Sequence, residues 1–218
     1  MKKIIAYLVL FFALAMIYSS VVLSFFVNLD VEISYYALVS GLILNFLIMF
    51  IPSIVFAYLY YNENIMENLY FRREGAIKSI FFGFLATLIF IFMQGILLIV
   101  LGYEESNPLA ERIVEIVKGN LFLLFLIPVI SSISEETFYR GIIQNLLQKK
   151  IGVYSIFITS IIFAIAHLEY KTIFQFLMPF LFGILLGFLM YKFKNIFAPI
   201  SAHFFYNFLS LFFGLLYG

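Results

Sequence analysis

Residues 79–103 read SIFFGFLATLIFIFMQGILLIVLGY, twenty-five positions without one Asp, Glu, Lys, Arg or His. A helix needs about 20 apolar residues to cross a bilayer, so this run is long enough. Similar uncharged runs lie upstream, at Ile4–Val27 and Tyr36–Tyr61. The first follows Met1-Lys2-Lys3 but is longer than a signal-peptide core, and Phe25-Phe26-Val27 offers no small-residue cleavage site. It is expected to stay as a helix.

Downstream the pattern is less regular. Leu121–Ser134 is apolar, and Glu135, Glu136 and Arg140 then interrupt it before Gly141–Leu147. Val153–Leu168 is apolar and carries His167 near its end. Thr172–Tyr191 is uncharged, and Ile196–Tyr217 holds only His203 besides its tyrosines. The reading is an all-α, polytopic transmembrane helical bundle of about seven spans. With no repeat or low-complexity linker, residues 1–218 are expected to form one integral membrane domain.

Composition excludes the main alternatives. The chain is 65% hydrophobic and 11% charged, with a mean hydropathy of +1.11. A soluble globule of this size could not hide that much apolar surface. A net charge of +1 gives no electrostatic case for nucleic acid. The absence of Cys rules out disulfides, thiolate nucleophiles and Cys-bound metals. The Ile, Phe, Tyr and Asn enrichment fits an AT-rich, prokaryotic coding sequence, for which the cell membrane is the expected location.

The basic residues orient the drawing. With the N-terminus inside, one side collects Lys2, Lys3, Arg72, Arg73, Lys78, Lys149, Lys150, Lys192 and Lys194. The other collects Arg112, Lys118 and Lys171, and Arg140 is set aside as intramembrane. The bias predicts a cytoplasmic N-terminus and, for seven spans, a C-terminus outside. Residues 62–76 mix apolar and charged positions. They are expected to form either an amphipathic helix in the interface or a solvated loop.

Charged groups inside a span are expensive, about 2.5 to 3.5 kcal/mol each at a helix centre. Glu135, Glu136 and Arg140 therefore stand out. Glu136 and Arg140 are four apart and able to pair on one helix face. Glu135 has Tyr139 at that spacing and points about 100° away around the helix, which leaves its carboxylate available. The two histidines of the chain both lie in apolar segments. Phe163 precedes His167 by four residues, which allows the rings to stack. His203 precedes Asn207 by four, so both reach one spot from one helix face. A carboxylate with an imidazole can take a proton from water. A second imidazole with an amide can donate hydrogen bonds to a developing oxyanion.

Three motifs stand here in order. Glu135-Glu136-Thr137-Phe138-Tyr139-Arg140 fits E-E-x-x-x-R, Phe163 to His167 fits F-x-x-x-H, and His203 to Asn207 fits H-x-x-x-N. In this order and spacing, residues 121–209 resemble the CAAX prenyl protease and bacteriocin-processing family, also called CPBP or Abi. The resemblance implies an intramembrane endopeptidase acting on membrane-associated or prenylated proteins or peptides. It implies that Glu135 and His167 activate water, that His203 and Asn207 form an oxyanion hole, and that Glu136 and Arg140 support the site, with Phe163 stacked beside it. The family is often labelled a metalloprotease. No metal is expected here, although Glu135, His167 and His203 could hold zinc, because the H-E-x-x-H helix of common zinc proteases is missing. The rival readings are a proton-coupled transporter, with these groups as a relay, and a non-catalytic membrane scaffold.

One geometric difficulty follows. His167 lies near the end of its apolar segment, and His203 lies near the start of the next but one. Straight spans would put them at different depths. Closing the site requires tilted helices, or a dip of residues 169–175 into the membrane.

Overall fold

The computed structural model describes residues 1–26, 33–102, 108–168 and 173–217, and every regular element among them is helical. In chain order these are α1 (Lys2–Ser24), α2 (Tyr35–Tyr61), α3 (Ile65–Asn68), α4 (Ala76–Leu101) and α5 (Pro108–Gly119). Then follow α6 (123–151), α7 (Tyr154–Ile165), α8 (Ile173–Phe193) and α9 (Phe197–Tyr217). Residues Val27, Tyr103 and Lys171, and most of the stretch expected to dip, lie outside the described residues.

Five helices are long and apolar enough to cross a membrane: α1, α2, α4, α8 and α9. Their outer faces carry large exposed apolar side chains, among them Phe11, Phe12, Ile89 and Phe92, as a lipid-facing surface does. The chain is an integral membrane protein. Helices α6 and α7 complete the about seven apolar segments read from the sequence, but each departs from a simple span.

The two apolar pieces around Glu135, Glu136 and Arg140 form one unbroken helix, α6. Its charges do not break it, because in an apolar medium the helix remains the way to satisfy backbone groups. The disturbance is confined to a wide π-helical segment at Thr137–Gln144. Such segments are uncommon and are found often at functional sites. Every residue from 134 to 145 is buried. A helix buried all round is a central one, and α6 packs against α2, α7, α8 and α9.

Helix α7 has 12 residues, which at 1.5 Å per residue spans about 18 Å, well short of a hydrocarbon core of about 30 Å. It is too short to cross alone, and His167 lies in the turn that follows it. The depth difficulty rested on two straight, full-length spans, and α7 is not one of them.

Small residues bring the remaining helices together. The G-x-x-x-G step at Gly183 and Gly187 is the face that α8 sets against α7. An added Cβ would lie 3.0 Å from Ser160 Cβ at Gly183 and 2.9 Å from Ile156 Cγ2 at Gly187. This is the close approach such a step permits. It exposes two α8 carbonyls to α6: Arg140 Nη2 donates to Gly183 O at 3.2 Å, and Gln144 Nε2 donates to Gly187 O at 2.9 Å. At Gly83 the crowding is greater, since a Cβ would lie 2.4 Å from the Ala198 carbonyl oxygen of α9. Gly83→Ala must push backbone against backbone. We expect it to lose at least about 1 to 3 kcal/mol, the usual range for overpacking, read as a lower melting temperature in detergent.

Residues 62–75 form neither a long interfacial helix nor a free loop. Only α3 is helical, and Leu69 is fully buried. Tyr70 O accepts from Ile196 N at 2.9 Å, and Asn195 Nδ2 donates to Arg72 O and Glu74 O, each at 3.0 Å. The Tyr70 hydroxyl donates to Asn145 Oδ1 at 3.3 Å. The segment is thus docked on the ends of α6 and α9. This docking gathers at one end of the bundle several of the loops that the basic residues assign to one side.

Candidate active site

The two adjacent carboxylates of α6 face different neighbours. Glu136 is fully buried and accepts through Oε1 from both Arg140 Nη1, at 3.1 Å, and His203 Nδ1, at 2.7 Å. Arg140 is also fully buried. Besides Glu136 and Gly183 O it meets the face of Phe163, with its guanidinium carbon 4.6 Å from the ring centroid. A buried charge is tolerable only when paired and hydrogen-bonded in this way. The i, i+4 pair read from the sequence is present, and it is joined by a histidine from 67 residues away.

Glu135 is 8% exposed. Its Oε1 accepts from Asn45 Nδ2 of α2 at 3.3 Å. Its Oε2 lies 4.0 Å from His167 Nε2, and among the described residues it has no hydrogen-bond partner. His167 Nδ1 lies 2.8 Å from Phe163 O. A carbonyl can only accept, so this contact places a proton on Nδ1 and turns Nε2 toward Glu135. The Phe163 ring lies 4.5 Å from the His167 ring and 6.1 Å from that of His203, between the two imidazoles.

Asn207 Nδ2 donates to Ser131 Oγ at 3.0 Å. Ser131 lies one turn before Glu135 on α6. Contacts thus join Glu136, Arg140, Phe163 and His203, and place His167 beside Glu135 and Phe163, while Asn207 reaches α6 through Ser131. The structure adds three residues that sequence reasoning passed over: Asn45, Ser131 and Gln144. A signal for Asn45 existed, since it is the one amide side chain in Tyr35–Tyr61. Ser131 and Gln144 carry no comparable signal.

Among the described residues, no three His, Cys, Asp or Glu side chains come together as a metal-binding group. His203 turns Nδ1 to Glu136, and it is not gathered with Glu135 and His167 into such a group. The zinc set Glu135, His167 and His203 does not fit in this arrangement.

These features define a class: a polytopic helical membrane protein with a buried carboxylate–histidine centre. Residues 117–209, under half of the chain, match the family model described as Type II CAAX prenyl endopeptidase Rce1-like. That stretch carries all three motifs, and the match is to the CAAX protease group they resemble. No curated protein and no solved structure matches the chain.

Proposed function

We propose that the chain is an intramembrane endopeptidase that hydrolyses a peptide bond of a membrane-associated or prenylated, CAAX-type protein or peptide. The observation that carries this reading is the Glu135–His167 pair. At 4.0 Å the two facing atoms are too far apart for a direct hydrogen bond. They are well placed for one water between them. With Glu135 as a carboxylate and His167 as the Nδ1–H imidazole, both would be acceptors, and that water would donate one hydrogen to each and turn a lone pair outward, toward a substrate carbonyl.

The chemistry then follows from the neighbours. Glu135 takes the proton as the water oxygen adds to the carbonyl carbon, and later delivers it to the departing amine nitrogen. Negative charge grows on the carbonyl oxygen. Asn207 has a second amide hydrogen beyond the one given to Ser131, and offers it to that oxyanion. His203 donates from Nε2 only as an imidazolium, because its Nδ1 proton faces Glu136. Glu136 holds the ring in place through Nδ1. A shallow apolar groove among α4, α6 and α9, lined by Val129, Ile133, Phe204 and Phe205, is a candidate surface for a lipid substituent. In this reading the N-terminus and the docked basic end face the cytoplasm, and the substrate reaches the site within the plane of the membrane.

The test is cleavage of a farnesylated peptide ending in a Cys-aliphatic-aliphatic-X tetrapeptide by purified protein in detergent, with products read by mass spectrometry. We expect cleavage after the prenylated Cys, and little change on adding EDTA or a zinc-selective chelator. Zinc at one per chain, with activity lost on its removal and restored on its return, would instead establish metal-assisted hydrolysis.

A further inference from the structure

We propose that Asn45 is a positioning residue for Glu135, so that the catalytic centre is completed by a helix outside the stretch that carries the motifs. The proposal rests on the endopeptidase reading above. Its geometric basis is the 3.3 Å hydrogen bond from Asn45 Nδ2 to Glu135 Oε1, made across 90 residues of chain.

Three observations support a role beyond filling space. First, an amide in an apolar span is costly unless it is satisfied, and Asn45 directs its donor to Glu135 rather than to a backbone carbonyl. Second, the bond divides the carboxylate. With Oε1 held by Asn45, the free oxygen is Oε2, the one that faces His167 Nε2. The hydrogen bond fixes the plane of the carboxyl group, so that whichever oxygen is not held by Asn45 is turned toward His167 Nε2. Third, the local backbone is built for this contact. Asn45 immediately precedes a π-helical segment, Phe46–Phe50, and Glu135 lies two residues before the π-helical segment of α6. The two wide segments pack against each other. Met49, in the first, is buried with Phe138, Tyr139 and Phe163. The wide turns set the register in which an α2 amide meets an α6 carboxylate.

The Asn45 Oδ1 atom is also buried and has no partner among the described residues. It remains an acceptor within the site, available to the water or to a substrate amide hydrogen.

The experiment compares wild type, Asn45→Leu and Asn45→Ala on the farnesylated peptide. It also records the infrared carboxyl and carboxylate bands of each, with the Glu135 band assigned by its loss in Glu135→Gln. Removing a hydrogen bond to a charged group is expected to lower kcat about 10- to 100-fold, with KM and the melting temperature little changed. The Glu135 band is expected to move in both variants. Unchanged kcat, or a fall that tracks lost thermal stability alone, overturns the proposal, as does a Glu135 band that stays in place. If wild type leaves the peptide intact, the endopeptidase reading fails, and the infrared band still decides whether Asn45 holds Glu135. Asn45→Ala keeps the test intact if the larger Leu side chain lowers the yield.

Discussion

Glu135→Gln is expected to abolish peptide cleavage while leaving expression and melting temperature at the wild-type level. The amide keeps the size of the carboxyl group, and its oxygen can still accept from Asn45 Nδ2. What disappears is the base. General-base catalysis contributes about 10²- to 10⁴-fold on its own. Losing the proton carrier for both water attack and amine departure should bring the rate below detection with the farnesylated peptide. Cleavage and detergent melting on the same preparation check this. A Glu135→Gln protein that cleaves at the wild-type rate removes the central residue of the mechanism.

Glu136→Gln should behave differently. Its carboxylate holds both Arg140 and His203, and all three side chains are buried. Breaking such a network from one side leaves a guanidinium uncompensated, at a cost of about 3 to 5 kcal/mol. We expect a clear fall in melting temperature and yield together with loss of activity. Neutralising the guanidinium as well, in the Glu136→Gln, Arg140→Gln double variant, should restore part of the stability. Recovery stays partial because the Arg140 bond to Gly183 O and the charged partner of His203 are both lost. The double variant should remain inactive, since His203 has then lost the carboxylate that holds its ring. The reverse outcome, Glu135→Gln active and Glu136→Gln folded but dead, would assign the two carboxylates the opposite roles.

What was legible in the sequence is what lies close along the helix. Glu136 with Arg140, Phe163 with His167, and His203 near Asn207 are all four residues apart, and helical periodicity alone brings such side chains to one face. The apolar runs announced the helices for a similar reason, because each must satisfy its own backbone in lipid. Illegible were the contacts that depend on packing. The bond from His203 to Glu136, that from Asn45 to Glu135, and those from Arg140 and Gln144 to two glycine carbonyls join distant segments. A carbonyl leaves no mark in sequence as an acceptor, and an Asn in an apolar run does not announce its partner. The end of α7 was hidden too. Apolar character continues to Leu168, while the helix stops at Ile165, so hydropathy overstated the span.

The pairing of Glu136 with Arg140 on a single helix also bears on how the protein is made. The ribosome delivers α6 before α8 and α9, so neither Gly183 nor His203 is yet available as a partner when this segment meets the membrane. At that stage a lone carboxylate or guanidinium would resist partitioning into lipid. Each instead arrives one turn from its counter-charge, and the segment offers the insertion machinery a neutral couple rather than two separate ions. The later helices then inherit a site whose most costly charges are already neutralised. The last to arrive, α9, adds His203 to a carboxylate that was held in waiting by its own helix.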